Sequence, residues 1–164
     1  MKPGIIVCAF PATGKSTAIQ NAELLGISAC DSDSEDHHWV DRTLPREERV
    51  ERKYWVEDYV QHLQDQTALQ DFVFASTHDV VRDGLVTAGV HFVVVYPTND
   101  QRDEYISRVA GRTTGLHGQL GVDLLTKMWR TWLTQMEKQP HCGRVVLQQE
   151  QYLSDVLDAI RGQT

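Results

Sequence analysis

Gly4-Ile5-Ile6-Val7-Cys8-Ala9-Phe10-Pro11-Ala12-Thr13-Gly14-Lys15-Ser16-Thr17 is the stretch that decides the fold of this chain. Its first half is a short apolar run suited to a strand buried on both faces. Its second half matches the phosphate-gripping pattern G-x-x-x-x-G-K-[ST] at Gly14, Lys15 and Ser16, with Ala9 standing where the first glycine is usual. A helix is expected from Ser16 to Leu25, closed by Gly26. Strand, turn and helix in that order turn successive backbone N–H groups toward one point at the positive end of a helix dipole, where an anion is stabilised. Pro11, Ala12, Thr13, Gly14, Lys15, Ser16 and Thr17 are therefore the candidate ATP-binding residues. Lys15 would reach the outer phosphates and the Ser16 hydroxyl would ligate Mg²⁺. The plainer alternative, a glycine-bearing turn before an ordinary helix, fits the flanking strand and helix less well.

Size and composition bound the rest. A chain of 164 residues buries one sizeable core, so a single domain over 1–164 is expected. No stretch approaches the ~20 apolar residues of a membrane span, and Met1-Lys2-Pro3 leads straight into the first strand. The expectation is a soluble, cytoplasmic protein. Cys8, Cys30 and Cys142 are odd in number and widely spaced, which favours reduced buried thiols over a disulfide or zinc site. A formal charge of −7 argues against broad adhesion to nucleic acid, though a local basic groove stays open.

Beyond the loop, apolar periodicity alternates between strand and helix. Ile27 to Cys30, Phe72 to Ala75, His91 to Tyr96 and Val145 to Leu147 read as four further strands separated by helical material. That is the pattern of an α/β domain with a mostly parallel sheet. A helix is expected to begin near Pro45, with Trp55, Val56, Tyr59, Val60 and Leu63 on one stripe. Val122 to Gln139 carries Leu125, Met128, Trp129, Trp132, Leu133 and Met136 at helical spacing, a packing face that ends before Pro140.

Asp31-Ser32-Asp33-Ser34 follows the second expected strand. Side chains alternate in extended chain, so Asp31 and Asp33 face one way and the serines the other. Ligands of open parallel sheets sit beyond the carboxyl ends of the strands, where the phosphate loop also lies. Asp31 is assigned to the metal and Asp33 to the acceptor hydroxyl, as the group that takes its proton. A solvated acidic turn capping the next helix is the alternative. Further along, Arg108 and Arg112 lie four residues apart on one helical face, placed to clamp a transferring phosphoryl group. Gly111, Gly115, Gly118 and Gly121 follow, so residues 108–121 are expected to form a lid that excludes water. A solvated surface loop is the competing reading.

Lys15-Ser16-Thr17 followed by Asp31-Ser32-Asp33 resembles the small P-loop kinases of the adenylate and shikimate kinase type, in which a D-x-D after the second strand meets metal and acceptor. The resemblance implies an ATP-dependent phosphotransferase with a three-layer fold: a five-stranded, mostly parallel sheet in the order 2-3-1-4-5, with helices on both faces. The chain is more closely similar to small phage and bacterial P-loop kinases that combine F-P-x-x-G-K-S, D-S-D-S, V-V-Y-P and a tryptophan-bearing helix. Here these are Phe10 to Ser16, Asp31 to Ser34, Val94 to Pro97 and the helix holding Trp129 and Trp132. That group implies a nucleotide-type acceptor, with 5-hydroxymethyluracil in phage DNA, the substrate of thymidine hypermodification, as the sharpest candidate. The setting would then be the host cytoplasm if the protein is phage-encoded. Two departures stand out. The third strand runs into Ser76-Thr77-His78-Asp79, leaving Asp79 as the candidate for a Walker-B-like carboxylate, and the glycine-rich acceptor motif of shikimate kinases is missing.

Acceptor contacts are expected from an insertion over about 34–70. Arg42, Arg46, Arg49, Arg52 and Lys53 there could hold a phosphate, and Trp39 or Tyr54 could stack on a base. Interleaved acids equally suit a solvated amphipathic helix. Two other classes stay open: a P-loop hydrolase or nucleotide-driven switch, and a nucleotide-binding protein without turnover.

Overall fold

The computed structural model describes residues 2–112 and 116–164. Five strands, β1 (Ile5–Ala9), β2 (Ala29–Asp31), β3 (Phe72–Ala75), β4 (Phe92–Pro97) and β5 (Gly143–Leu147), form one parallel sheet in the order β2-β3-β1-β4-β5. The central strand β1 pairs with β3 from Ile5↔Phe72 to Cys8↔Ala75 and with β4 from Ile6↔Phe92 to Ala9↔Val95. Its five residues are all buried, as a strand covered on both faces requires.

Period-two alternation divides the strand side chains between two cores. Ile6, Cys8, Val73, Ala75, Phe92, Val94 and Tyr96 face α3 (Trp55–Thr67), α4 (Asp79–Thr87), α5 (Arg102–Arg112) and α6 (Leu116–Glu137). Ile5, Val7, Ala9, Phe72, Phe74, Val93 and Val95 face α1 (Lys15–Gln20) and α7 (Leu157–Arg161). Helices thus cover both faces. The stripe Trp55, Tyr59, Val60 and Leu63 is buried on α3, and Leu125, Trp129, Leu133 and Met136 are buried on α6. No described helix is long and apolar enough to cross a membrane.

Element boundaries differ from the sequence expectations where packing intervenes. Helix α1 stops at Gln20, and turns carry the chain to Gly26 (φ 64°), because Leu24 and Leu25 stay exposed with no core to meet. The charged run after Pro45 makes only a 3-10 turn at Arg46–Glu48; α3 starts at Trp55, where the apolar stripe begins. Strand β2 lies at Ala29–Asp31, where Ala29 first finds a partner in Phe72. Helix α6 begins at Leu116, well before Val122, and takes Gly118 and Gly121 into its first turns. A Cβ on Gly121 would come within 3.2 Å of Val109 Cγ1, so this glycine marks a close approach of α5 and α6. Of the expected lid, residues 108–112 finish α5, 116–121 open α6, and 113–115, including Gly115, lie outside the described residues.

Candidate active site

The loop between β1 and α1 begins from a fixed point. Phe10 donates its N–H to the Val95 carbonyl at 2.8 Å, and its ring meets Trp129, Tyr105 and Trp132 edge-on at centroid distances of 5.3, 6.0 and 6.3 Å. Thr13 turns its hydroxyl inward to the Phe10 carbonyl at 2.8 Å. Ala12 (φ 62°) and Gly14 (φ 92°) both adopt the left-handed conformation, which curls the backbone round a concavity. Gly14 has a second reason to be glycine: a Cβ would lie 2.9 Å from Tyr152 Cδ1. Among the described residues, no acceptor takes the N–H groups of Ala12 through Thr17. Such a row of free donors fits a polyphosphate. Lys15 and Ser16 stand at the mouth, and the Lys15 ammonium forms no ion pair with any described carboxylate.

At the end of β2, Asp31 and Asp33 are exposed while Ser32 and Ser34 are buried. The backbone between the two aspartates is held by Tyr59, whose hydroxyl donates to the Ser32 carbonyl at 2.5 Å and accepts the Ser76 N–H at 3.0 Å. One buried oxygen therefore ties the ends of β2 and β3 together, and burial pushes the Tyr59 hydroxyl pKa up, which keeps it protonated. Tyr59→Phe strands a buried carbonyl and a part-buried N–H, so a stability loss of about 2 kcal/mol is expected in urea unfolding. A loss below about 0.5 kcal/mol would show that this hydroxyl is not a strut.

Asp33 is occupied locally. Its Oδ1 accepts the Glu35 N–H at 3.0 Å at the head of α2 (Glu35–His38), and its Oδ2 lies 3.6 Å from Arg42, which also pairs with Asp36. Two other cations of the 34–70 segment are also engaged: Arg49 Nη1 lies 3.6 Å from Glu35 Oε2 and Arg52 donates to the Trp39 carbonyl. His38 is stacked between Trp39 and Trp55, at centroid distances of 4.0 and 4.2 Å, so Trp39 serves as packing here.

Arg108 does not project into solvent. Its guanidinium lies between the rings of Tyr105 and Tyr152, 4.4 and 4.0 Å from their centroids, donates to the Ala12 carbonyl at 3.0 Å, and pairs with Glu104. It braces the back of the phosphate loop. Arg112, one turn on, is exposed at the end of α5. Burial pushes the Cys8 thiol pKa up to about 12, against the pull of the Arg82 and Lys15 charges, so the thiol under the loop is unreactive at neutral pH.

The chain is similar to the solved structure of the tunicamycin resistance protein of Deinococcus radiodurans, with 11% identity and a TM-score of 0.60 over 99% of this chain and 95% of that one. It is also similar to a gluconokinase from Sinorhizobium meliloti 1021, with 18% identity and a TM-score of 0.51 over 98% of this chain and 91% of that one. The fold is that of the P-loop kinases. No protein-family model and no curated protein matches the chain. Pro11 to Gly14 form the turn between β1 and α1, Lys15 to Thr17 open α1, and Asp31 ends the outer strand β2, two places along the sheet from β1, with Asp33 just beyond it.

Sequence reading missed one part of this surface. A cleft of about 370 Å³ opens beyond the ends of β1 and β3, lined by Phe10, Pro11, Asp79, Arg82, Met128 and Trp132, among others. Asp79 was singled out in the sequence as a carboxylate, and it stands in the first turn of α4 with Oδ1 on the Val80 N–H at 2.9 Å. Arg82, three residues later and buried, carried no signal, because one arginine in an apolar helix reads as surface.

Proposed function

We propose that this protein is an ATP-dependent kinase that transfers the γ-phosphate to a hydroxyl of a nucleotide-type acceptor. The observation that carries the proposal is the concavity of N–H groups from Ala12 to Thr17, which have no acceptor among the described residues, with Lys15 at its mouth paired with no described carboxylate. In-line transfer forms a bond from the acceptor oxygen to the γ-phosphorus. The bond from that phosphorus to the β,γ-bridging oxygen breaks, and its electron pair leaves with ADP. Asp33 takes the hydroxyl proton, which requires it to exchange the Glu35 N–H and Arg42 for the acceptor. Ser16 and Asp31 would hold Mg²⁺, which when bound neutralises charge on the phosphate oxygens. Lys15 supplies positive charge where negative charge builds on the leaving side, and Arg112 supplies it from α5. Arg108 acts behind the loop by holding the Ala12 carbonyl.

The hydroxyl-bearing group has two candidate sources. The D-S-D-S and V-V-Y-P resemblance nominates 5-hydroxymethyluracil in DNA. Internal pairing of Arg42 and Arg49, with a net charge of −7, favours a free nucleoside or deoxynucleotide instead. Mg²⁺-dependent transfer of labelled γ-phosphate to a panel of nucleosides, deoxynucleotides and duplex DNA, with and without hydroxymethylated pyrimidines, separates them. Asp33→Asn should cost about 10²-fold or more in acceptor turnover while leaving ATP binding close to wild type. Near-normal turnover by that variant removes Asp33 as the proton acceptor, and label released only as inorganic phosphate favours a hydrolase.

A further inference from the structure

Arg82 is 2% exposed, yet it forms no ion pair with any described carboxylate. Its Nε donates to Gln139 Oε1 at 2.8 Å and its Nη1 to the Thr77 carbonyl, both neutral acceptors. Nη2 has no hydrogen-bond partner among the described residues and is not sealed off from the cleft that Arg82 lines. A second donor in the same cluster, Gln139 Nε2, is buried and without a partner. Arginine is a permanent cation, and burying one without a counter-charge costs several kcal/mol. Folds retain such a group where a ligand supplies the missing charge.

The setting says what that ligand is. Phe10 and Pro11, which open the phosphate loop, form one wall of the cleft, so its occupant lies beside the transferring phosphate. Met128, Trp132 and Met136 form an apolar wall that includes a half-buried indole. Asp79 lines the same cleft without pairing with Arg82; its Oδ1 takes the Val80 N–H, and its Oδ2 has no partner among the described residues and can accept a hydrogen bond from a hydroxyl. We propose that this cleft is the acceptor subsite, with Arg82 Nη2 binding an oxyanion of the acceptor and Trp132 covering an apolar or planar face of it. The inference rests on the kinase reading and sharpens it: the acceptor bears a phosphate or carboxylate of its own.

The test reads binding without turnover, so it stands apart from any failure to find kinase activity. Phenyl phosphate, benzoate and the neutral benzyl alcohol are titrated into the full chain carrying Lys15→Met, which removes the competing cation of the loop, and heats of binding are recorded. Phenyl phosphate or benzoate should bind at millimolar concentration or tighter and benzyl alcohol at least 10-fold more weakly. The better of the two anions identifies the acceptor's group as phosphate or carboxylate. Adding Arg82→Met, which keeps side-chain bulk without charge, should weaken the anion at least 10-fold. Trp132→Ala, on the rim, should weaken phenyl phosphate more than inorganic phosphate and keeps the test open should Arg82→Met fail to fold. Equal affinity for the anions and the alcohol, or an anion affinity unmoved by both substitutions, overturns the proposal.

Discussion

A Lys15→Met variant should fold like wild type and lose about 10³-fold in phosphotransfer, equivalent to about 4 kcal/mol of transition-state stabilisation. The two halves of this expectation rest on different observations. The Lys15 ammonium makes no ion pair among the described residues, and α1 buries only Ala18, so removing the charge breaks nothing that holds the fold. Unfolding free energy should therefore stay within about 0.5 kcal/mol of wild type. The catalytic loss follows from position: Lys15 is the first residue of α1, next to a row of N–H groups that neutralise phosphate only in part. Single-turnover transfer with saturating ATP isolates the chemical step from weaker binding. A drop of less than about 10-fold would mean that the loop binds a phosphate which is not the one transferred.

The largest structural effect is expected from Trp129→Ala. This side chain is 2% exposed on α6, packs edge-on against Phe10 at 5.3 Å and tilted against Tyr105 at 5.6 Å, and donates its indole Nε1–H to the Asn99 carbonyl at 3.2 Å. Truncation removes the contact between three elements at once and leaves a cavity under the first residue of the phosphate loop. A loss of about 3 to 5 kcal/mol is expected in urea unfolding, a large part of the stability of a domain this size. Because Phe10 carries the loop, ATP affinity should fall along with stability, and rigid packing at this point is what couples the two. A loss under about 1 kcal/mol would show that the aromatic cluster closes over the gap.

Much of this molecule is legible along the chain. The apolar run Ile5 to Ala9, the turn at Gly14 and the alternation of strand and helix periods depend on neighbours in sequence. For that reason the α/β class, the position of β3 and the strand–turn–helix order of β1, the Gly14 turn and α1 read correctly. The buried stripes on α3 and α6 read correctly for the same reason, since a 3.6-residue period is a property of one segment. The sheet order followed from family resemblance, which the fold comparison matches.

The alternation of Asp31 and Asp33 with Ser32 and Ser34 was legible, but the partners that charged side chains find were not. Arg108 reads as a phosphoryl clamp sharing one helical face with Arg112, while in the structure Ala12, 96 residues earlier, offers a carbonyl, and Tyr152 offers a ring, and together they hold it behind the loop. Asp33 reads as free to meet a hydroxyl, yet Arg42 and the head of α2 engage it first. Arg82 gives no signal in sequence, because its charge becomes costly only once β1, β3, α4 and α6 have enclosed it. Local periodicity and turn chemistry therefore determined the order and type of the main elements and the turn between β1 and α1 by sequence alone. Which charges are satisfied and which still await a ligand was decided by tertiary packing, because the energy of a charge depends on everything that folding brings within a few ångströms of it.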